Sequence, residues 1–216
     1  MKKIILTGLT ALFGVLGIQA QETKADGLDN PWQFRVRGVL VAPDESASIE
    51  VIGGGTDIST SFIPELDISY YFTKNWSLEL ILGTTKHDVK AVHTAAGDVD
   101  LGSVWLLPPT LTFQYHVTEL GNFKPYVGAG LNYTIFYSSK SGSVIDDVDY
   151  DNSLGYAAQV GIDYMISDKW FINLDVKKLF LQTDATVNAT TALNATVNAD
   201  VDINPWLIGV GVGIKL

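Results

Sequence analysis

The sequence contains no cysteine, few basic residues and only three histidines. Without cysteine there is neither a disulfide nor a thiolate, so hydrogen bonds and packing alone must hold the fold together. Lysine and arginine number 14 against 24 aspartates and glutamates. This balance argues against a nucleic-acid partner, because phosphate binding needs a basic surface. The histidines, His87, His93 and His116, do not share metal-ligand spacing on one element, so we predict no metal site and no cofactor.

Long apolar runs are missing beyond the start of the chain, so no later segment offers the roughly 20 residues of a transmembrane helix. Residues 1–20 combine Lys2 and Lys3, an apolar stretch and the small residue Ala20, which is the pattern of a cleaved secretory signal. Its removal leaves 12 basic and 24 acidic residues, a net charge of −12. We therefore predict one exported domain at residues 21–216.

The stretch from Asn204 to Leu216 alternates strictly between two kinds of side chain. Trp206, Ile208 and Val210 begin an entirely apolar face, whereas the other face carries three glycines and a lysine. Since alternate residues of a strand point to opposite faces, this pattern predicts one face in lipid and one lining a narrow barrel. An open strand edge is intolerable in lipid, so we expect this strand to pair with the first.

Eight strand-like segments of this kind follow one another along the chain. They lie at roughly 33–42, 62–72, 76–85, 105–117, 123–137, 154–166, 170–181 and 204–216. Their connections are alternately long, at 43–61, 86–104, 138–153 and 182–203, and short, at 73–75, 118–122 and 167–169. Each segment is long enough to cross a bilayer as a tilted strand. We predict an all-β, eight-stranded antiparallel transmembrane β-barrel with extracellular long loops and periplasmic termini.

The surroundings of the predicted barrel follow from its outward residues. The outward positions that we assigned are uncharged, and aromatic residues such as Trp76, Trp170, Trp105 and Trp206 cluster near both strand ends. Two aromatic belts are typical of a membrane protein. The predicted partners are therefore outer-membrane lipid and lipopolysaccharide. The oligomeric state stays open.

The inward residues divide into a charged lower zone and an apolar upper zone. The charged residues of the lower zone are Arg35, Arg37, Glu65, Asp67, Glu79, Lys124, Asp163, Asp175, Lys177 and Lys215. The residues of the upper zone are Val39, Val41, Ile63, Ile81, Leu106, Phe136, Leu179 and Leu207. Eight strands leave an interior only wide enough for side chains, so the charges must pair. We predict an ion-paired plug below an apolar cup.

Pro108 and Pro109 remove two backbone donors where the second long loop meets the fourth strand. Two interpretations are open: a local gap in the barrel wall beside the apolar cup, or a strand that begins above the membrane.

Two of the predicted long loops contain a recognisable pattern, an acidic run in one and a short repeat in the other. Asp147, Asp149 and Asp151 resemble the start of a calcium loop, but Asn152 and Ala158 stand where that loop needs glycine and glutamate. We interpret them as part of a solvated acidic loop. The repeated Ala-Thr-Val-Asn-Ala at 185–189 and 195–199 predicts a polar, β-prone loop or a hairpin that extends the barrel.

Four stretches carry a resemblance to a known family: LPPTL at 107–111, FKPYVGAGLNYT at 123–134, QVGIDY at 159–164 and NPW at 204–206. In these the chain resembles the OmpW family of small outer-membrane proteins over its whole mature length. The resemblance implies an eight-stranded barrel with an apolar upper lumen, a closed periplasmic end and uptake of small hydrophobic molecules that leave sideways through the wall. It also implies weak channel activity and a link to stress responses.

Two positions depart from the family pattern. Leu216 stands where a terminal aromatic is usual, so we expect the barrel assembly machinery, a predicted partner, to insert this chain less readily. Lys177 stands beside the cup where the family is apolar, and it would suit amphiphilic or anionic solutes.

The sequence therefore predicts a channel for passive uptake of small hydrophobic or amphiphilic molecules. We predict no catalytic residues, because no nucleophile signature accompanies the histidines. One alternative is a surface barrel whose loops bind host, phage or envelope components around an inert lumen. A lipid-modifying enzyme would need His87 or His93 beside a serine and an acidic residue at the rim. A soluble ligand-binding barrel conflicts with the uncharged outer face.

Overall fold

A computed structural model describes residues 30–49, 53–95, 97–142, 145–189 and 195–216. The predicted signal at residues 1–20 lies outside them. The described residues form fifteen β-strands. These strands are β1 (Trp32–Ala42), β2 (Ser46–Ile49), β3 (Gly55–Ile58), β4 (Ser61–Tyr71), β5 (Trp76–Gly83), β6 (Thr85–Thr94), β7 (Gly97–Leu107), β8 (Thr110–His116), β9 (Phe123–Ser141), β10 (Asp147–Tyr150), β11 (Ser153–Met165), β12 (Trp170–Phe180), β13 (Gln182–Ala189), β14 (Ala195–Asp202) and β15 (Trp206–Lys215). In these ranges there is no helix long and apolar enough to cross a membrane.

Eight of these strands close into an antiparallel barrel in the order β1-β4-β5-β8-β9-β11-β12-β15. The last strand closes on the first, with pairs running from Gln33 and Lys215 to Ala42 and Trp206. The predicted eight-stranded barrel, including this closure, is confirmed. We call the end with the short turns the lower end and the opposite end the upper end.

The glycines of β15 allow the lumen to be filled from the neighbouring strands. A Cβ atom on Gly211 would lie 2.1 Å from the Val36 carbonyl oxygen, and one on Gly213 would lie 2.1 Å from Cζ of Phe171. Glycine is therefore required at both positions for the close approach of backbone and ring.

The four long connections predicted as loops are mostly strands, which corrects the sequence interpretation. One upper sheet has the order β10-β13-β14-β2, and the other adds β3, β6 and β7 to the upper half of β9. The repeated segments pair as the suggested hairpin, with Ala185 opposite Ala199 and Val187 opposite Val197. We call these two sheets together the extension. Its strands form because small or β-branched apolar residues alternate with polar ones.

The outer face changes character from the barrel to the extension. Large apolar residues cover the barrel, and exposed aromatics such as Phe62, Tyr156 and Trp206 ring its upper end. Above this ring the outward side chains of β13 and β14, including Asp184 and Asp200, are polar. Lys178 lies at the same height as these exposed aromatics. Its ammonium is 4.7 Å from the centre of the Trp206 indole and is paired with Asp44. The lipid-facing band therefore ends at the aromatic ring.

Candidate functional site: the lumen of the barrel

Arg35 lies at the centre of the lower lumen and is fully enclosed. Its guanidinium is ion-paired with Glu79 and with Asp163, the latter at 3.2 Å. The same group lies 5.5 Å from the centre of the Tyr126 ring and 5.7 Å from that of Phe171. Two carboxylates and two aromatic faces thus replace the water that an arginine would otherwise bind.

Arg37 connects a second set of carboxylates one step higher on β1. Its nitrogens lie 2.7 Å from Asp67, 3.0 Å from Glu65 and 3.3 Å from Asp175. Its Nη2 is also 3.7 Å from Glu79, which links the two arginines through one carboxylate. The predicted pairing of lower-lumen charges is therefore present for these residues.

Neutral side chains add hydrogen bonds to this layer. Gln114 donates to Glu79 at 2.5 Å, and Gln159 and Tyr126 each donate to Asp175 at 2.7 Å. Sequence reasoning did not place Gln159, Tyr126 or Phe171 in the lumen. Their even spacing from inward residues was the missed signal: Tyr126 follows Lys124 by two positions, and Phe171 precedes Asn173 by two.

Two lysines predicted for the plug do not join it. Neither Lys124 nor Lys215 forms an ion pair with any other described residue, and both border a recess at the lower end of the barrel. Lys215 pairs with Gln33 in the register, below the arginines, and its ammonium lies 4.8 Å from the centre of the Tyr71 ring. The ring therefore replaces the carboxylate that we expected to reach Lys215.

Above the charged layer, the lumen is an apolar chamber that continues into the extension. Its lower wall contains seven of the eight predicted cup residues, and Val39 packs in the same cluster. The seven are Val41, Ile63, Ile81, Leu106, Phe136, Leu179 and Leu207. Its upper wall contains inward residues of the extension, among them Val89, Val104, Val187 and Val201.

The atom-free space within the chamber is about 1440 Å³ when its open mouth is counted, and about 100 Å³ of it can hold the centre of a water molecule. The chamber is thus taller than the predicted cup but narrow. Burial in the wall of the chamber raises the pKa of Tyr150, in the extension, to about 12.

The wall of the chamber is interrupted beside the two prolines. The ladder between β5 and β8 stops at Ile81 and Thr110, and that between β6 and β7 begins at Thr85 and Leu106. The prolines between them have no N–H to offer. On the other side, the Pro109 carbonyl accepts a hydrogen bond from the Tyr133 N–H at 3.0 Å. The unpaired stretch of wall therefore faces β5 and opens onto the chamber.

The histidines lie apart from one another, and the imidazole rings of His87 and His116 are bonded to neutral groups. His116 is buried in the lower lumen against Tyr71 and Ser77. His87 bonds Thr85 Oγ1 at 3.0 Å and the Ser59 carbonyl, and the His93 N–H donates to Asp98. In the described part of the chain, no carboxylate is hydrogen-bonded to His87 to orient it as a catalytic base.

The acidic residues at 147–151, predicted to lie in a loop, lie mostly on a strand. Asp147 and Asp149 lie on strand β10 and point outwards, while Val148 between them is buried in the apolar cluster of the extension. The described ranges contain no cluster of three or more histidine, cysteine or acidic side chains that could hold a metal ion.

A closed antiparallel barrel with an apolar wall between aromatic rings is the architecture of a bacterial outer-membrane protein. The model of the OmpW family matches residues 31–216. The chain is 50% identical over 194 residues to outer-membrane protein y4mB of Sinorhizobium fredii, covering 89% of this chain and 82% of that one. It is 31% identical over 193 residues to the dibenzothiophene metabolism operon protein PahQ of Pseudomonas aeruginosa, covering 86% and 88%.

The crystal structure of the outer membrane protein OprG from Pseudomonas aeruginosa superposes with a TM-score of 0.80 at 28% identity, covering 87% of this chain and 96% of that one. The chain belongs to the OmpW family. The predicted family and the predicted location in the bacterial outer membrane are thereby confirmed.

Proposed function

We propose that this barrel admits small hydrophobic or amphiphilic molecules into its apolar chamber and releases them sideways into the membrane. The observation that carries the proposal is that the chamber is blocked below and interrupted at its side. Arg37, with its four carboxylates, closes the path towards the lower end. A solute that enters from the extension meets apolar side chains until it reaches this layer.

The chemistry of the chamber supports an apolar solute. Transfer of apolar surface from water into such a chamber is favourable by roughly 25 cal/mol per Å². A charged solute would instead lose its hydration among residues such as Ile81, Leu179 and Leu207, at a cost of several kcal/mol. The narrow bore further favours slender or planar molecules.

The position of the ladder interruption supports sideways release. Gly83, Leu106, Pro108 and Thr110 line the chamber and also border the unpaired stretch of wall. A solute that passes there breaks no backbone hydrogen bond of either ladder, although the Thr84 hydroxyl donates to the Leu106 carbonyl at the upper border, at 3.0 Å. The outer side of the interruption lies next to Trp105 and Tyr137 of the upper aromatic ring, where an apolar molecule would enter lipid.

The names of two relatives support the same solute class. Both PahQ and a protein named DoxH, of a Pseudomonas strain, are named for an operon of dibenzothiophene metabolism. Dibenzothiophene is a planar apolar molecule of the kind that the chamber would accept.

An uptake experiment tests the proposal. Vesicles with an outer leaflet of lipopolysaccharide would be prepared with the wild-type barrel, with an Ile81→Asp, Phe136→Asp variant, or without protein. We expect the wild type to accelerate naphthalene uptake and the variant to lose about 90% of that acceleration, because two carboxylates in the chamber add a desolvation barrier. Thr186→Asp, on the outer face of the extension, is the matched control. Heat-modifiable migration on a gel confirms that each variant is folded.

The surface-barrel alternative makes the opposite prediction. If the lumen is inert, naphthalene uptake is equal with and without protein, and both aspartate variants behave alike. That result would overturn the proposed channel.

A further inference from the structure

The floor of the apolar chamber carries one pair of opposite charges, Lys177 on β12 and Glu65 on β4. The Lys177 ammonium is 1% exposed and lies 3.5 Å from Glu65 Oε1 and 3.7 Å from Asp175 Oδ1. Neither Lys177 Nζ nor Glu65 Oε1 makes a well-formed hydrogen bond to any group in the described part of the chain. Both residues line the chamber, and Glu65 Oε1 is also 3.0 Å from Arg37 Nη2 below it.

Lys177 and Glu65 differ in this respect from several of the groups below them. Glu79 accepts hydrogen bonds from Gln114 and Gln159, and Asp163 accepts one from Asn173 at 2.7 Å. Buried polar groups are nearly always satisfied in this way, and an unsatisfied one costs free energy. Arg37 and Asp67 also have atoms without such bonds, but neither of them lines the chamber. Lys177 and Glu65 do, so a molecule in the chamber would meet these two residues.

The charges around the pair decide what the molecule carries. The ion-pair network joins three cations, Arg35, Arg37 and Lys177, to five carboxylates, which disfavours an added carboxylate. An ammonium group would face Lys177, and either ion would lose its hydration in the apolar chamber. A neutral hydroxyl avoids both costs. It can accept from Lys177 and donate to Glu65 at the same time.

We propose that the preferred solutes are hydroxylated hydrocarbons, alcohols or phenols, whose hydroxyl group binds between Lys177 and Glu65 while the hydrocarbon body fills the chamber. This inference rests on the proposed function, because it assigns a solute class to the same chamber. The contacts that the hydroxyl group adds are polar and lie only between Lys177 and Glu65. The apolar walls alone do not distinguish a hydrocarbon from its alcohol, but the charged floor pair does.

Equilibrium binding to the barrel in lipid nanodiscs tests the inference, with empty nanodiscs correcting for partition into lipid. The probes are naphthalene, 2-naphthol, 2-naphthoate and 2-naphthylmethylammonium at neutral pH. We expect 2-naphthol to bind about tenfold more tightly than naphthalene, the effect of one or two hydrogen bonds to charged groups. The two ions should bind more weakly than 2-naphthol.

The Glu65→Gln, Lys177→Met double variant removes one charge of each sign and keeps the network balance. Its affinities for 2-naphthol and naphthalene should become nearly equal. The matched control is Lys178→Met, the adjacent lysine, which points outwards to Asp44 and Trp206. It should keep the preference for 2-naphthol.

Each outcome separates the inference from the proposed function. Equal affinities of the wild type for naphthalene and 2-naphthol, or tighter binding of either ion, would overturn the hydroxyl site even if naphthalene uptake depends on the barrel. If the wild-type barrel neither accelerates naphthalene uptake nor binds any of the probes, the proposed function itself is overturned. If the double variant does not fold, the comparison of the four probes on the wild type still decides.

Discussion

The lower and upper halves of this lumen are lined by the same strands but are built from opposite chemistry. On β1 the inward residues change from Arg35 and Arg37 to Val39 and Val41 in consecutive inward steps. On β12 the change falls between Lys177 and Leu179. One barrel thus contains a layer of side chains held together by ion pairs. Directly above it is a chamber whose mostly apolar side chains are held together by dispersion and apolar burial.

The difference indicates which part of the barrel is rigid and which part can rearrange. A buried ion pair adds little net stability compared with an apolar pair, but removal of one partner is costly because the other charge stays buried. An apolar lining has no such directional demand and tolerates small rearrangements. We therefore expect the charged layer to hold the shape of the barrel while the chamber above adapts to a solute.

The largest expected effect comes from breaking the charged layer. Arg37→Met leaves Glu65, Asp67 and Asp175 without their main cation, and we expect a loss of about 3–5 kcal/mol in the free energy of unfolding. Urea unfolding in detergent, followed by heat-modifiable migration, measures it. Lys86→Met removes an exposed pair with Asp88 and should change stability by less than about 1 kcal/mol. Equal effects of the two variants would show that the layer does not fix the barrel.

Much of this comparison was accessible from the sequence. Period-two alternation placed Arg35, Glu79 and Asp163 inside and the large apolar residues outside, because lipid permits no charged wall. The two zones of the lumen follow from the same alternation. The partners of each arginine could not be predicted, since the heights of inward residues depend on strand tilt and register, which no local pattern determines.

The next largest effect is expected from a charge in the upper half. Val187→Asp places an unpaired carboxylate in the apolar wall of the extension, and burial of such a group costs several kcal/mol. We expect the extension to become sensitive to protease while the barrel keeps its heat-modifiable migration. Thr186→Asp, one residue away and on the outer face, should stay resistant. Unfolding of the whole barrel by Val187→Asp would show that the two halves are one cooperative unit.

The extension is where sequence reasoning fell short. Segments 86–104 and 182–203 contain many polar residues, and we expected loops there, with a hairpin as the alternative for the repeats at 185–189 and 195–199. The alternation of Ala185, Val187 and Ala189 with Thr186 and Asn188 was present, but small side chains give a weak pattern. The pairing of β2 with β14 joins residues about 150 positions apart, a contact that local propensity does not reveal.

A smaller effect is expected where the two halves meet at the wall. Pro108→Val, Pro109→Val returns two backbone donors. Since the Pro109 carbonyl already bonds to β9, the donor at 108 is the one that can extend the ladder towards Gly83. Naphthalene uptake should fall by about threefold to tenfold if solutes leave there, while naphthalene binding in the chamber persists. Pro125→Val, which adds a donor low on β9, is the control. Unchanged uptake in the double variant would place the exit elsewhere.

The smallest expected effect is the pH dependence of the stability of the extension. It distinguishes the extension from the barrel below. His87 lies on β6, outside the eight barrel strands, and burial lowers its pKa below the ordinary 6.5, opposed by the Ser59 carbonyl and by the carboxylates of Asp88 and Glu45. The folded extension therefore binds a proton less readily than the unfolded one. Its stability is fully present above pH 6.5 and is lost as the pH falls from there towards the lower pKa of the folded state.

Protease resistance of the extension at about pH 8 and about pH 5 measures this contribution. We expect the wild type to be more resistant at the higher pH, and His87→Gln to flatten the difference because no titrating group is then buried at that position. His93→Gln, at an exposed position of the same strand, should keep the wild-type profile. If His87→Gln kept the full pH dependence, a titrating group other than His87 would be its source.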